Sequence, residues 1–325
     1  MSPNLKTFLK VLLSVLLAVV IVYFVFKKVD LEEFVAQAKT VNYSWVLLSM
    51  GISFFSYFLR AYRWRLQLEP LGYAPSTYRM FLAIMSGYLA NLVIPRLGEV
   101  TRCGVLLKSN NVPVSTSFGT VITERIVDML ALAVIFLITL FLQSDQLVQF
   151  IDQTVDLNLN WYLIAGIGLG VAGLGSFIFF KFIYPSETKI GAFSRNLVEG
   201  LISLRNVKIT SFTVITILIW VIYFFTSYVV IFAMKETSHL GWEVGFSILT
   251  AGVVAFVLPV QSGFGTFHAL VSTMLILYGV DQTAGLFYAT LLHTSQLIAI
   301  IIFGSVAVIL SIFVKTNAEQ RKSTD

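Results

Sequence analysis

Charge is scarce in this sequence. Asp, Glu, Lys and Arg make up 12% of its 325 residues against 57% hydrophobic residues, about half the charged share of an ordinary soluble domain, so a water-solvated fold is excluded. Cysteine is scarcer: Cys103 stands alone, which rules out an internal disulfide, and with three histidines no Cys/His group has the spacing of a metal site. There is also no phosphate-binding P-loop, no dinucleotide fingerprint and no HExxH helix. An ATP-driven pump within this chain is excluded, no catalytic residue is assigned, and no metal, cofactor or nucleic acid is expected. The first apolar run, Phe8 to Phe26, lacks a small-x-small cleavage site; Lys27, Lys28 and Val29 follow it, and it reads as a retained span.

Long apolar runs are what the sequence has in plenty. A hydrocarbon core about 30 Å thick takes roughly 20 residues of helix, and only helices or closed barrels satisfy their backbone there. The runs, near 8–26, 43–59, 80–95, 126–142, 161–183, 210–234, 244–258, 266–279 and 284–314, are too long for barrel strands. The class is an all-α polytopic membrane protein, a single integral membrane domain over 1–325. Lys and Arg in short loops mark the cytoplasmic side. By that rule Arg60, Arg63 and Arg65, a basic linker at about 184–209 and the terminal Lys315, Arg321 and Lys322 are cytoplasmic, while the acidic 143–160 and 235–243 are external.

Parity then fails at two places. Arg79 and Lys108 both read as inside although one apolar run separates them, and 235–243 and Asp281 both read as outside. Two re-entrant hairpins resolve the conflict, one at about 80–108 broken by Pro95 and Gly98, the other at about 244–279 broken by Pro259. With six full spans, both termini fall in the cytoplasm. Broken helices in corresponding halves suggest inverted repeats around a site near the midplane; ordinary spans with proline kinks are the alternative. "GIGLGVAGLG" (166–175) reads as close helix packing. Phe193, Leu197, Leu201 and Leu204 recur as on a surface helix or a solvated loop.

"IPRLGEVTR" (94–102), "ERIVDMLAL" (124–132) and "PVQSGFGTFHALVSTMLILYGV" (259–280) resemble, in order, three signatures of the lysylphosphatidylglycerol synthase transmembrane-region family, also described as flippase-like. The resemblance covers nearly the whole chain and implies a membrane domain associated with moving lipids or lipid-linked molecules between leaflets. Some relatives fuse it to a soluble aminoacyl-transfer domain; with the sequence ending at Asp325, synthesis of lysyl lipid is not expected. The family commonly shows an acidic residue near the position of His268, so a carboxylate role does not carry over.

Charges at membrane depth face an interior or a wet cavity and pair with one another. Arg96, Glu99, Arg102, Glu124, Arg125 and Asp128 supply three bases and three acids, and their three- and four-residue spacings place each set along one helix side. Two compatible readings follow. The charges lock the first hairpin to the next helix, or one Arg is left to grip a phosphate with its planar fork. In the second hairpin Pro259 ends a helix, and Gly263 and Gly265 permit unwound backbone whose N–H groups suit an anion. The hairpin tips are expected to meet, bringing Arg96 or Arg102 toward Gly263 and Gly265 around an anionic headgroup.

His268 and His293, with Gln296 a turn beyond, read as packing residues or as a shared polar site that titrates. Ser262 with His293 gives an intramembrane hydrolase as a less favoured reading, opposed by Val260 where the rhomboid Gly-x-Ser-Gly needs glycine. The expected function is a lipid or lipid-linked-substrate translocator of the cytoplasmic membrane, its partner a phospholipid or lipid-linked anion. The rival is a non-transporting lipid-binding scaffold, or a partner of a separate lipid- or glycan-modifying enzyme.

Overall fold

The computed structural model describes residues 31–94, 96–142, 195, 198, 204–205, 207–258 and 260–313. The predicted spans 8–26 and 161–183, most of the basic linker, the surface-helix reading except at Leu204, and Pro95 and Pro259 lie outside the described residues. Nine α-helices are described: α1 (Leu31–Thr40), α2 (Tyr43–Leu68), α3 (Thr77–Val93), α4 (Leu97–Asn110), α5 (Val114–Leu142), α6 (Ile209–Tyr228), α7 (Glu243–Val257), α8 (Thr266–Leu277) and α9 (Gln282–Phe313). There is no strand among the described residues. Four segments are long and apolar enough to cross a membrane: Tyr43–Leu71, Val114–Leu142, Ile209–Ala233 and Gln282–Ser311. The chain is an all-α multi-pass membrane protein.

Helix α2 corrects one expectation. It starts at an Asn42 cap whose side chain accepts the Ser44 N–H at 3.1 Å, and it does not end near 59. It runs to Leu68, continues as a 3-10 turn and stops at Gly72 with φ 83°. Arg60 and Arg63, assigned to a cytoplasmic loop by the charge rule, are therefore helical and buried, at 7% and 0% exposure. The physical reason is that acids on α5 accept them; a paired guanidinium tolerates an interior that a free one does not. Only Arg65 keeps a partly exposed place, bound to Glu69 at 2.8 Å.

Helices α3 and α4 form an antiparallel pair. Ser76 caps α3 by accepting the Arg79 N–H at 3.3 Å, Ile94 is extended, and Arg96 takes a left-handed turn at φ 63° that sends the chain back. The return is complete: Arg79 donates to the Ser109 carbonyl at 3.0 Å. Near the turn the two backbones touch at Gly87 and Gly98, where a methyl on Gly87 would fall 2.7 Å from the Gly98 carbonyl oxygen. Gly98 lies inside α4, with its N–H donated to Asn91 Oδ1 at 2.6 Å. It is a close-approach position, not the breaker that the sequence suggested.

The α7–α8 pair repeats the device. Ser247 and Tyr278 hydroxyls meet at 2.7 Å at its open end, and Thr266 donates to the Ala255 carbonyl at 3.2 Å near its tip. Between them Ser262, Gly263 and Gly265 all have positive φ, at 49°, 72° and 80°. Helix α9 packs against α1, α2, α3 and α8, and α3 reaches the 3-10 turn Gln261–Gly263, so the turn of the second hairpin lies against the outgoing helix of the first. One apolar core gathers α7, α8, α9 and the end of α6; another gathers α2, α3, α4 and α5. Helix α5 leaves Met129, Leu130, Val134, Leu137 and Phe141 exposed, an apolar face that suits hydrocarbon rather than water.

Candidate functional site

Along α2 the residues Ser49, Ser53, Ser56, Arg60, Arg63 and Gln67 are all buried. Their alternating spacing of four and three puts them on one face of the helix. That face turns inward. At its lower half it meets α5, where Glu124 and Asp128 sit one turn apart, and α4, which contributes Arg102.

Glu124, with no exposed side-chain surface, is the hub. Its Oε1 accepts from Arg60 Nη2 and, at 3.2 Å, from Arg63 Nη2; its Oε2 accepts from Arg102 Nη1 at 2.8 Å. Asp128 accepts from Arg63 at 2.7 Å and lies 3.6 Å from Arg60. The other ends of the two α2 arginines are tied to α6: Arg60 donates to the Tyr223 hydroxyl at 3.0 Å and Arg63 to Thr216 Oγ1 at 3.4 Å. Beneath them Trp64 donates to Thr120 at 2.8 Å and offers its ring to the Arg102 guanidinium at 4.7 Å, a favourable cation–π stack.

A separate, more exposed pair joins Arg125 to Glu99 at 3.2 Å, with the two side chains 45% and 22% exposed. Two of these pairs, Arg102–Glu124 and Arg125–Glu99, tie the first hairpin to the next helix, as one of the two readings of the sequence expected. Glu99 and Arg102, three apart on α4, go to different partners on α5, and Asp128 binds α2 rather than Arg125. Arg96, at the hairpin tip, is exposed and makes no ion pair among the described residues. Arg60 and Arg63 were missed as site residues. The signal that finds them is the buried four-and-three polar stripe of α2, a pattern stronger than the loop-charge rule that claimed them.

Beside this cluster a small cleft is lined by Ile84, Gly87, Tyr88, Asn91, Gly98, Glu99, Arg102 and Arg125. Its volume, about 10 Å³, has room for about one water. Arg102 Nη2 is buried without a hydrogen-bond partner, as are Arg60 Nε and Arg63 Nε.

The second hairpin has a different chemistry. His293 Nε2 lies 3.0 Å from the Ser262 carbonyl oxygen, so the imidazole meets the backbone of Ser262 rather than its hydroxyl. His268 stands edge-on to His293 with ring centroids 5.0 Å apart, and Phe267 stacks on His293 at 5.0 Å with Phe256 and Phe264 nearby. Gln296 is half-buried. Gly265 closes the tip as the residue before α8, and Gly263 faces the Phe256 ring. The structure thus brings Arg102, Glu124 and Asp128 into one cluster, places Glu99 and Arg125 in a second pair at its edge, and gathers Ser262, Gly263, Gly265, His268 and His293 at the other tip.

Among the described residues no group of three His, Cys, Asp or Glu side chains could hold a metal ion. The fold and the buried charges define a multi-pass membrane protein with two antiparallel pairs of short helices packed within the bundle. The chain belongs to the Lysylphosphatidylglycerol synthase TM region family, which it matches over residues 11–304. It is similar to the UPF0104 membrane protein MJ1078 of Methanocaldococcus jannaschii, 23% identical over 221 residues that make up 67% of this chain and 92% of that protein. A second UPF0104 membrane protein of that organism, MJ1595, is 26% identical over 155 residues, 43% of this chain and 45% of the other. No solved structure matches it.

Proposed function

We propose that this protein holds an anionic lipid or lipid-linked substrate and passes it between the leaflets of the cytoplasmic membrane, with both of its termini in the cytoplasm. The observation that carries the reading is Arg102. It is buried, its Nη1 holds Glu124, its Nη2 has no hydrogen-bond partner, and it lines the cleft between α3 and α4. A guanidinium with a spare donor suits a phosphate oxygen, and family membership, which implies lipid movement by resemblance, agrees with that chemistry.

Helix lengths support re-entry. The four hairpin helices contain 17, 14, 15 and 12 residues, at most about 26 Å at helical rise and short of a hydrocarbon core of about 30 Å. Two such pairs, in contact where α3 meets the turn Gln261–Gly263, suit a midplane site approached from both faces. The narrow cleft then corresponds to an occluded state, and passage needs α4 to part from α5. The same narrowness favours the second reading, a scaffold whose charges only lock its helices.

Leaflet exchange separates the two. In reconstituted vesicles, fluorescent phosphatidylglycerol should lose its sidedness faster than in protein-free vesicles, and purified protein should carry anionic lipid in mass spectra. Bound lipid without exchange is the scaffold outcome. Orientation is tested by Lys108→Cys and Asp281→Cys in a Cys103→Ser background. Membrane-impermeant reagents should reach position 108 from the cytoplasm and 281 from outside, and external labelling of 108 removes the first re-entrant hairpin.

A further inference from the structure

The buried cluster carries a surplus of charge. Three guanidiniums, of Arg60, Arg63 and Arg102, face two carboxylates, of Glu124 and Asp128, and the Arg125–Glu99 pair beside them is neutral. One positive charge is left over among the described residues, and three guanidinium nitrogens there have no hydrogen-bond partner: Arg60 Nε, Arg63 Nε and Arg102 Nη2. An uncompensated charge in a low-dielectric interior is strongly disfavoured. An anion that enters removes the imbalance.

We infer that this cluster is a binding site for one singly charged oxyanion, a phosphodiester or monobasic phosphate, received by Arg102 in the cleft between α3 and α4. The inference rests on the lipid-handling reading above and sharpens it, because the charge count sets the valency. One negative charge neutralises the cluster; a doubly charged group would overshoot. The burial of Arg102 fits such a group: it is 4% exposed, so its interaction is little screened by water. Glu99, the one carboxylate on the rim, gives Oε1 to Arg125, while its Oε2 is buried without a hydrogen-bond partner.

Arg102 also joins α4 to α5 through Glu124 at 2.8 Å. An incoming phosphate therefore competes with Glu124 for the same guanidinium, and its arrival loosens the contact that must open for passage. Arg60 and Arg63, which remain on Glu124, keep that carboxylate satisfied when Arg102 lets go. This division of labour gives the two α2 arginines a positioning role and Arg102 the binding role.

The test uses the full chain in neutral detergent with three probes: phosphatidylglycerol, a singly charged diester; phosphatidylcholine, whose headgroup is a zwitterion; and inorganic phosphate. Binding is read by native mass spectrometry and by the shift in thermal unfolding. Phosphatidylglycerol should bind in preference to phosphatidylcholine. Arg102→Gln should weaken it about tenfold or more, the worth of a hydrogen bond to a charged group. Arg102→Lys, which keeps the charge and loses the planar fork, should fall between. Asp128→Asn, which raises the surplus by one, should strengthen binding, and it keeps the question answerable if Arg102→Gln folds poorly. Equal affinity across wild type, Arg102→Lys and Asp128→Asn overturns the site while leaving lipid handling elsewhere in the protein untouched. Arg102-dependent binding of inorganic phosphate with no competition from phosphatidylglycerol keeps the anion site and overturns the lipid as its source.

Discussion

In α3–α4 the chain turns at Ile94–Arg96 and the returning helix is fastened to α5 by Arg102–Glu124 and Glu99–Arg125, four charges in two crossed pairs. In α7–α8 the chain turns through three consecutive-region residues of positive φ, Ser262, Gly263 and Gly265, and the tip is fastened by aromatic rings and by His293 on a backbone carbonyl. The geometry is alike and the forces differ. Ion pairs in a low dielectric are strong only while both partners are present, whereas ring packing is additive and survives the loss of one contact. On the proposed reading, an anion that takes Arg102 weakens one of the two pairs that hold the first hairpin, while the ring packing of the second is left unchanged.

The largest test of that contrast is Glu124→Gln. The substitution leaves Arg60 and Arg63 with Asp128 alone and Arg102 with no carboxylate partner, and removing one partner from a buried network costs about 3 to 5 kcal/mol. Folded yield in detergent chromatography and unfolding temperature should both fall sharply. A Glu124→Gln protein as stable as wild type means that the cluster is already hydrated and the first hairpin is not held by charge.

Next come the two glycine tests, one per hairpin. Gly98→Ala puts a methyl against the Gly87 carbonyl and the Asn91 side chain, and overpacking of this kind costs about 1 to 3 kcal/mol. Gly265→Ala forces a side chain onto a backbone at φ 80° and ψ −53°, a strain of about 1 to 3 kcal/mol. Thermal unfolding should show comparable losses, but only Gly98→Ala, which pushes α3 and α4 apart at the cleft, should also change anion binding. Equal effects on binding from both would erase the distinction between a hairpin held by ion pairs and one held by ring packing.

Much of this was legible in the sequence for the same reason that membrane folds are simple: long apolar runs can only be helices. The turns near 94–96 and 260–265 were marked by Pro, Gly and polar residues within such runs, and the antiparallel packing of each pair agrees with the expectation, drawn from loop charges, that the chain doubles back there. The lock between the first hairpin and α5 was legible as one of two readings, but the share of α2 in it was not. Spacing along one helix says which residues share a face, not which other helices that face meets, so Arg60 and Arg63 went unseen as partners of Glu124 and Asp128. Arg60 and Arg63 were missed as interior residues because two rules competed. Basic residues after an apolar run usually mark its cytoplasmic end, yet the buried stripe from Ser49 through Gln67 carries the helix past them. The polar stripe was the better guide, since a residue on an interior face can be charged if an acid waits opposite.

A smaller effect is expected at the second tip. His293→Leu removes the hydrogen bond to the Ser262 carbonyl, seen at 3.0 Å, and keeps an apolar body among Phe256, Phe264 and Phe267. The loss should be about 1 kcal/mol, the usual net value of such a bond, read as a modest drop in unfolding temperature with leaflet exchange preserved. Loss of exchange at unchanged stability would assign the imidazole a working role and would move the site toward the second hairpin.

The smallest effect belongs to Arg125→Gln, and it sharpens the comparison from within the first hairpin. Arg125 and Glu99 form the outer of the two crossed pairs and are 45% and 22% exposed, so water screens them and the pair contributes at most about 1 kcal/mol. Stability should barely change, and the change should shrink further as salt is raised. Glu99 on the cleft rim, however, would lose the cation that occupies it. A bare carboxylate there repels an incoming oxyanion, so phosphatidylglycerol should bind more weakly to Arg125→Gln although the protein is as stable as before, and Arg125→Gln with Glu99→Gln should restore the affinity. Weakening that the double variant does not rescue would mean that Arg125 touches the anion itself, placing the ligand on the α5 side of the cleft instead of on Arg102.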